Sequence, residues 1–153
     1  MLSGWAARYK LLPDGTRQIT AFLIPGDFCD LHVTILREMD HGILALSPAT
    51  IAYIPHQAMQ DLPLNRPALA RALWWATLVD EAVLRAWIVT IGRRDAHEGV
   101  AHLLCELHAR MRNVGLVEEG AFSLPLTQEE LADALGLTRS TSTACSSGSA
   151  RRV

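Results

Sequence analysis

The sequence predicts an α+β fold, with short strands in the first third of the chain and helices after them. Up to about residue 55, apolar residues alternate in short runs bounded by turn residues. From Arg66 onward they recur at spacings of three and four, the period of a helix face. Near the C-terminal end, a helix-capping signature is followed, nine residues after its first member, by a turn glycine.

The strands come first. Trp5–Leu12 are rich in aromatic and β-forming residues, and Pro13-Asp14-Gly15 is a strong turn signal. Gln18–Ile24 is the returning strand, ended by Pro25-Gly26-Asp27. Gly42–Leu46 supplies a third, broken at Ser47-Pro48, and Thr50–Ile54 a fourth, stopped by Pro55. Such strands suit a small antiparallel roll, yet four of them make a poor closed barrel because the edges stay unpaired. The pattern also opens inside a strand, as expected of a roll cut short at its front.

From Arg66 a helix of roughly 25 residues is expected, with Pro67 suited to its first turn. Leu69, Leu73, Ala76, Val83, Trp87 and Ile91 draw one stripe along it, widened by Ala72, Val79 and Ala86. So long a stripe needs cover. A parallel copy in a homodimer and the chain's own roll are the two candidates. Gly92 and Arg93-Arg94-Asp95 mark a break, after which a second helix buries Val100, Leu103, Leu104 and Leu107 and ends near Asn113-Val114-Gly115. Phe122–Leu126 alternates and leads into Thr127.

Thr127-Gln128-Glu129-Glu130 is a capping box, in which the Thr127 hydroxyl accepts from the Glu130 amide and the Glu130 carboxylate reaches back. The helix it opens contains Leu131, Ala132, Ala134 and Leu135, and stops at Gly136, a residue able to turn left-handed. Thr138 is then placed to cap a further helix, and the small Ala132 lets that helix cross closely. Helix, glycine turn and N-cap form the front half of a helix-turn-helix, although helical hairpins without DNA-binding function share the pattern.

Composition narrows the function. Half the chain is hydrophobic and a fifth is charged, enough to bury a core, and the net charge of −2 gives no general basic field for nucleic acid. Any DNA contact must be local. No GxSxG, phosphate loop, HExxH or paired catalytic carboxylates occur, so no enzyme is expected and no catalytic residue is assigned. The three cysteines, Cys29, Cys105 and Cys145, lie far apart without a CxxC and read as reduced thiols of a cytoplasmic protein. No apolar run is long enough to span a bilayer, so no membrane contact is expected. Cys29, His32 and His41 lack the compact ligand set of a metal site, and His102, Cys105 and His108, three apart on a helix, place His102 and His108 on different faces. Neither metal nor cofactor is expected.

The order of strands, long helix, shorter helix and helix-turn-helix start resembles the Crp/Fnr family of transcription regulators, from about Leu2 to Thr138. Gly4-Trp5-Ala6, Pro25-Gly26-Asp27-Phe28 and Leu124–Thr138 carry the resemblance most specifically. It implies a partial cyclic-nucleotide-binding-like sensor β-roll over 1–63, a dimerisation helix over 64–92 and an incomplete winged helix-turn-helix over 93–138. The implied function is DNA-binding transcription regulation by a homodimer. Leu69, Leu73, Ala76, Val83 and Trp87 would dimerise. Thr127 and Gln128 match positions that touch DNA phosphates, while Thr138 and Arg139 open the recognition helix.

The chain departs from the family in two places. Where cyclic-nucleotide binders carry Gly-Glu and then Arg-Ser, it has Gly26-Asp27 and then Arg37-Glu38, so cyclic AMP is not expected and the effector stays unnamed. An iron–sulfur cluster would need an N-terminal cysteine cluster, which is lacking. After Thr138, residues 139–153 are Ser/Thr-rich without apolar spacing and read as a disordered tail. Codons can be chosen for this tail whose shifted frame reads V-H-V-N-R-M-L-Q-R-L-R-Q-A-G, a recognition-helix pattern, which suggests a frameshift after Thr138. The alternative is a truncated remnant that dimerises or binds a ligand without sequence-specific DNA binding.

Overall fold

A computed structural model describes residues 1–31, 35–36 and 38–137. Alternation in the first stretch produces β1 (Ala6–Leu11) and β2 (Arg17–Leu23). Asp14 builds the turn between them, accepting from the Thr16 amide at 2.9 Å and the Thr16 hydroxyl at 2.6 Å. Those bonds favour the carboxylate and hold its pKa below the ordinary value. β3 (Gly42–Ala45) pairs on the other side of β1, giving a three-stranded antiparallel sheet in the order β2-β1-β3. The β1–β2 register shifts between Arg8 and Tyr9, leaving Thr20 as the extra residue of a bulge whose hydroxyl donates to the Arg8 carbonyl. Across from Tyr9 stands Gly42, where a Cβ would lie 2.5 Å from the tyrosine ring. Only glycine lets the ring lie there.

The fourth expected strand, Thr50–Ile54, does not form. Thr50 makes an isolated bridge with Ser3, and the chain then runs on without a ladder, with Tyr53 91% exposed. Gly4, at φ 84°, turns the backbone where pairing would continue, and Pro48 has no amide to donate. Instead His56–Asn65 forms a helix, α1, unannounced by the sequence. Its entry is Pro55 at φ −56°, Pro63 lies within it, and none of its residues is buried. A helix without a buried face leaves no apolar period to read.

The long helix is present as α2 (Pro67–Arg93), 27 residues that span about 40 Å at 1.5 Å each. Pro67 stands in its first turn, as expected. α3 (Ala96–Asn113) begins at a second capping box, Asp95 with Glu98, and carries Arg110 and Arg112 in its last turn, where cations suit the helix dipole. α4 (Gln128–Leu135) closes the described chain. Phe122–Leu126 makes no regular strand, but its alternation reports burial correctly: Phe122 is 4% exposed, with Leu124 and Leu126 packed against the core.

One apolar core joins sheet and helices. Trp5, Ile19, Phe22 and Ile24 meet Trp87 of α2, Leu103 and Leu107 of α3, and Leu135 of α4. Phe22 and Trp87 pack edge to face with ring centroids 5.9 Å apart. Charged pairs lace its margin. Arg110 donates to Asp27 at 2.6 Å, to Glu106 at 2.9 Å and to the Phe22 carbonyl at 2.9 Å. Burial alone would lower its pKa, but the charges of Asp27 and Glu106 prevail and raise it above the ordinary arginine value.

Candidate nucleic-acid interface and pairing helix

α4 is built as its residues dictate. Glu130 N donates to the Thr127 hydroxyl at 3.2 Å and Thr127 N donates to the Glu130 carboxylate at 2.7 Å. At its other end Gly136 takes φ 64°, ψ 30°, the left-handed turn. Ala132, Ala134 and Leu135 face inward, and Leu135 reaches to 3.6 Å from where a Cβ on Gly99 of α3 would stand. Thr127, Gln128 and Glu129 face solvent at the N-terminal end. Thus α4 presents one exposed, positively polarised terminus, tempered by the carboxylates of Glu129 and Glu130. Thr138 and Arg139, together with the tail over 139–153 and its proposed frameshift, lie outside the described residues.

α2 divides the expected dimerisation residues. Trp87 is 5% exposed, and its indole N–H donates to Glu106 at 2.5 Å. Val83 packs against the same core, and Leu73 and Ala76 are half-buried. Leu69 stays 49% exposed near the helix start. At Val83 and Trp87 the stripe packs on the chain's own core, while Leu69 and Ile91 stay about half exposed.

The opposite face of α2 was missed by the stripe reading. Arg71, Trp75, Leu78, Ala82, Arg85 and Val89 follow one another at alternating spacings of four and three, and all are exposed. Trp74 and Trp75 are 77% and 70% exposed. This 4-3 repeat has the spacing of a heptad, legible in the sequence once the inward stripe is set aside.

A cavity of about 300 Å³ lies between α2 and the loop after β2, lined by Arg8, Asp27, Cys29, Asp30, Asp80 and Val83 among others. Its charges are already matched. Arg8 pairs with Asp80 at 2.8 Å and donates to the Phe28 and Cys29 carbonyls, while Asp27 holds Arg110. An anionic ligand would have to displace a carboxylate from each guanidinium. His41 sits between Asp30 at 3.0 Å and Asp40 at 3.1 Å. Lys10, then His41, hold the Asp40 carboxyl down to about 2. His32 lies outside the described residues, and among those described no His/Cys/Asp/Glu group could hold a metal. His102 rests near the Thr90 hydroxyl and His108 tilts against Phe122, while Cys105 is exposed.

The comparisons with known proteins agree with this architecture. Residues 99–147 match the Crp-like helix-turn-helix domain, a stretch that runs from within α3 through α4. A probable transcriptional activator of Rhizobium leguminosarum is 34% identical over 129 residues, 84% of this chain and 52% of that protein. The chain belongs to the Crp/Fnr family. Within this family, the nitrogen fixation regulation protein FixK of Bradyrhizobium diazoefficiens is 32% identical over 90% of this chain and 57% of its own length. The solved structure of FixK2 from Bradyrhizobium japonicum superposes with a TM-score of 0.82 at 27% identity, covering 99% of this chain and 78% of that one. The Crp/Fnr chain described here spans about half the length of the curated relatives it matches.

Proposed function

We propose that this Crp/Fnr chain is a DNA-binding transcription regulator that works as a homodimer in the cytoplasm. The observation that carries the reading is α4: a Thr127-capped helix, closed by a left-handed Gly136, with its exposed N-terminus inside the stretch matching the Crp-like helix-turn-helix domain. Thr127 and Gln128 contact phosphate there, and Thr138 and Arg139 begin the element that reads bases. The relatives' names, activators and nitrogen-fixation regulators, favour this over a remnant that only dimerises or binds a ligand, and over any enzyme. Among the described residues no helix is long and apolar enough to cross a membrane.

Dimerisation runs along the outer face of α2. A parallel second copy covers Trp75, Leu78, Ala82 and Val89 in knobs-into-holes fashion. Arg85, held to Glu81 at 3.3 Å, keeps its charge partly neutralised at the seam. The sensor roll takes 1–63, the dimerisation segment that contains most of α2 takes 64–92, and the reading unit follows over 93–138. Cyclic AMP is not the expected effector, because Arg8 and Arg110, which line the cavity, are engaged with carboxylates.

Selection from a randomised duplex library tests the DNA reading. Enrichment of a two-fold symmetric site, bound with a steep salt dependence, is the expected result. Binding with no enriched sequence would refute base-specific recognition by this chain.

A further inference from the structure

We propose that Arg17 and Gln18 of β2 form a polar latch that positions α4 on the sensor sheet. Asp133 stands in the last turn of α4, where the open carbonyls make a carboxylate unwelcome, and α4 has no basic residue there to offset it. The counter-charge comes from the sheet. Arg17 Nε and Nη2 both reach one Asp133 carboxylate oxygen, at 2.8 and 2.7 Å, with the two side chains 26% and 22% exposed. Beside it the Gln18 amide nitrogen donates to the Asp133 carbonyl at 2.6 Å and the Ala134 carbonyl at 3.3 Å. A strand side chain thereby caps the helix end.

Among the described strands β2 lies at the edge of the sheet, where α4 packs against it. Toward the helical unit α4 packs apolar contacts through Ala134, Leu135 and Gly136. Apolar contact is non-directional and tolerates sliding, whereas the Arg17 fork and the Gln18 cap fix direction. Two residues at the start of β2 therefore give the seat of α4 on the sheet a directional hold. They sit just after the β1–β2 turn, so a shift of that hairpin is passed to α4. The consequence for DNA rests on the function proposed above. The latch itself does not.

Hydrogen exchange on the full chain, without DNA, tests the latch directly. Arg17→Glu is expected to speed exchange at Ala132–Leu135 by about three- to ten-fold, leaving the α3 amides unchanged, with Arg17→Lys restoring most of the protection. In an Asp133→Asn background the Arg17→Glu effect should shrink toward nothing. Unchanged α4 exchange in Arg17→Glu, or an equal effect in both backgrounds, overturns the latch. If Arg17→Glu does not fold, raising salt on the unaltered chain must speed α4 and not α3, and a flat response overturns it equally. Duplex affinity measured in parallel reports on the DNA reading alone.

Discussion

Truncating Leu78 to alanine separates the two faces of α2. Leu78 is 56% exposed, so a second copy has a little over half of it left to cover. Full burial of a leucine side chain stabilises by about 1.5–3 kcal/mol, which leaves about 1–1.5 kcal/mol per chain for the seam. Two chains lose about 2–3 kcal/mol together, a weakening of the dimer by about 30- to 150-fold. The folded chain itself should barely register the change. Trp87→Ala is the counterpart. With 5% exposure, an edge contact to Phe22 and a bond to Glu106, its loss should cost about 3–5 kcal/mol of chain stability, while affecting dimerisation only through the fold. Sedimentation equilibrium gives the first quantity and urea melts the second. A dimer constant unmoved by Leu78→Ala, in a chain that does dimerise, would refute the outer seam.

Three further outcomes follow from named contacts. Thr127→Ala removes one arm of the capping box and should cost about 1 kcal/mol in urea melts, with Thr127→Ser recovering most of it. Replacing Arg110 with Met leaves Asp27 and Glu106 half-buried without their cation, and a loss of about 2–3 kcal/mol is expected by the same measurement. Asp40 should titrate at about 2 when its carboxyl carbon is followed by NMR, moving back toward 3.8 in Lys10→Ala. Because its folded pKa is depressed, its contribution to stability is present above about pH 4 and fades as pH falls toward 2.

Much of the fold is written locally. The hairpin is legible because Asp14 and Gly15 can do little else between two alternating runs, and α4 because Thr127, Glu130 and Gly136 each have one good role at that spacing. What escaped is what depends on partners distant in sequence. Thr50–Ile54 has strand composition, but only the turn at Gly4 reveals that the pairing lapses. α1 buries nothing and so leaves no period. The apolar stripe of α2 is real, yet periodicity says that a face is covered and not by what. Only the packing of Trp87 on Phe22 shows that the cover is internal. Asp95 passed for part of a charged break because its partner Glu98 is recognisable only once a helix is known to start there. Arg17 and Asp133 lie 116 residues apart, beyond any local pattern.

The two-sidedness of α2 separates partner choice from foldability. Trp75, Leu78, Ala82 and Val89 are exposed and lie outside the apolar core, so they can drift under selection for whom the helix pairs with while Val83, Trp87 and Thr90 continue to satisfy the core. A regulator built this way can acquire or lose a mate among its paralogues by a handful of substitutions on one side of one helix. Such a change would leave its melting curve as an isolated chain almost untouched and alter the composition of its complexes in the cell.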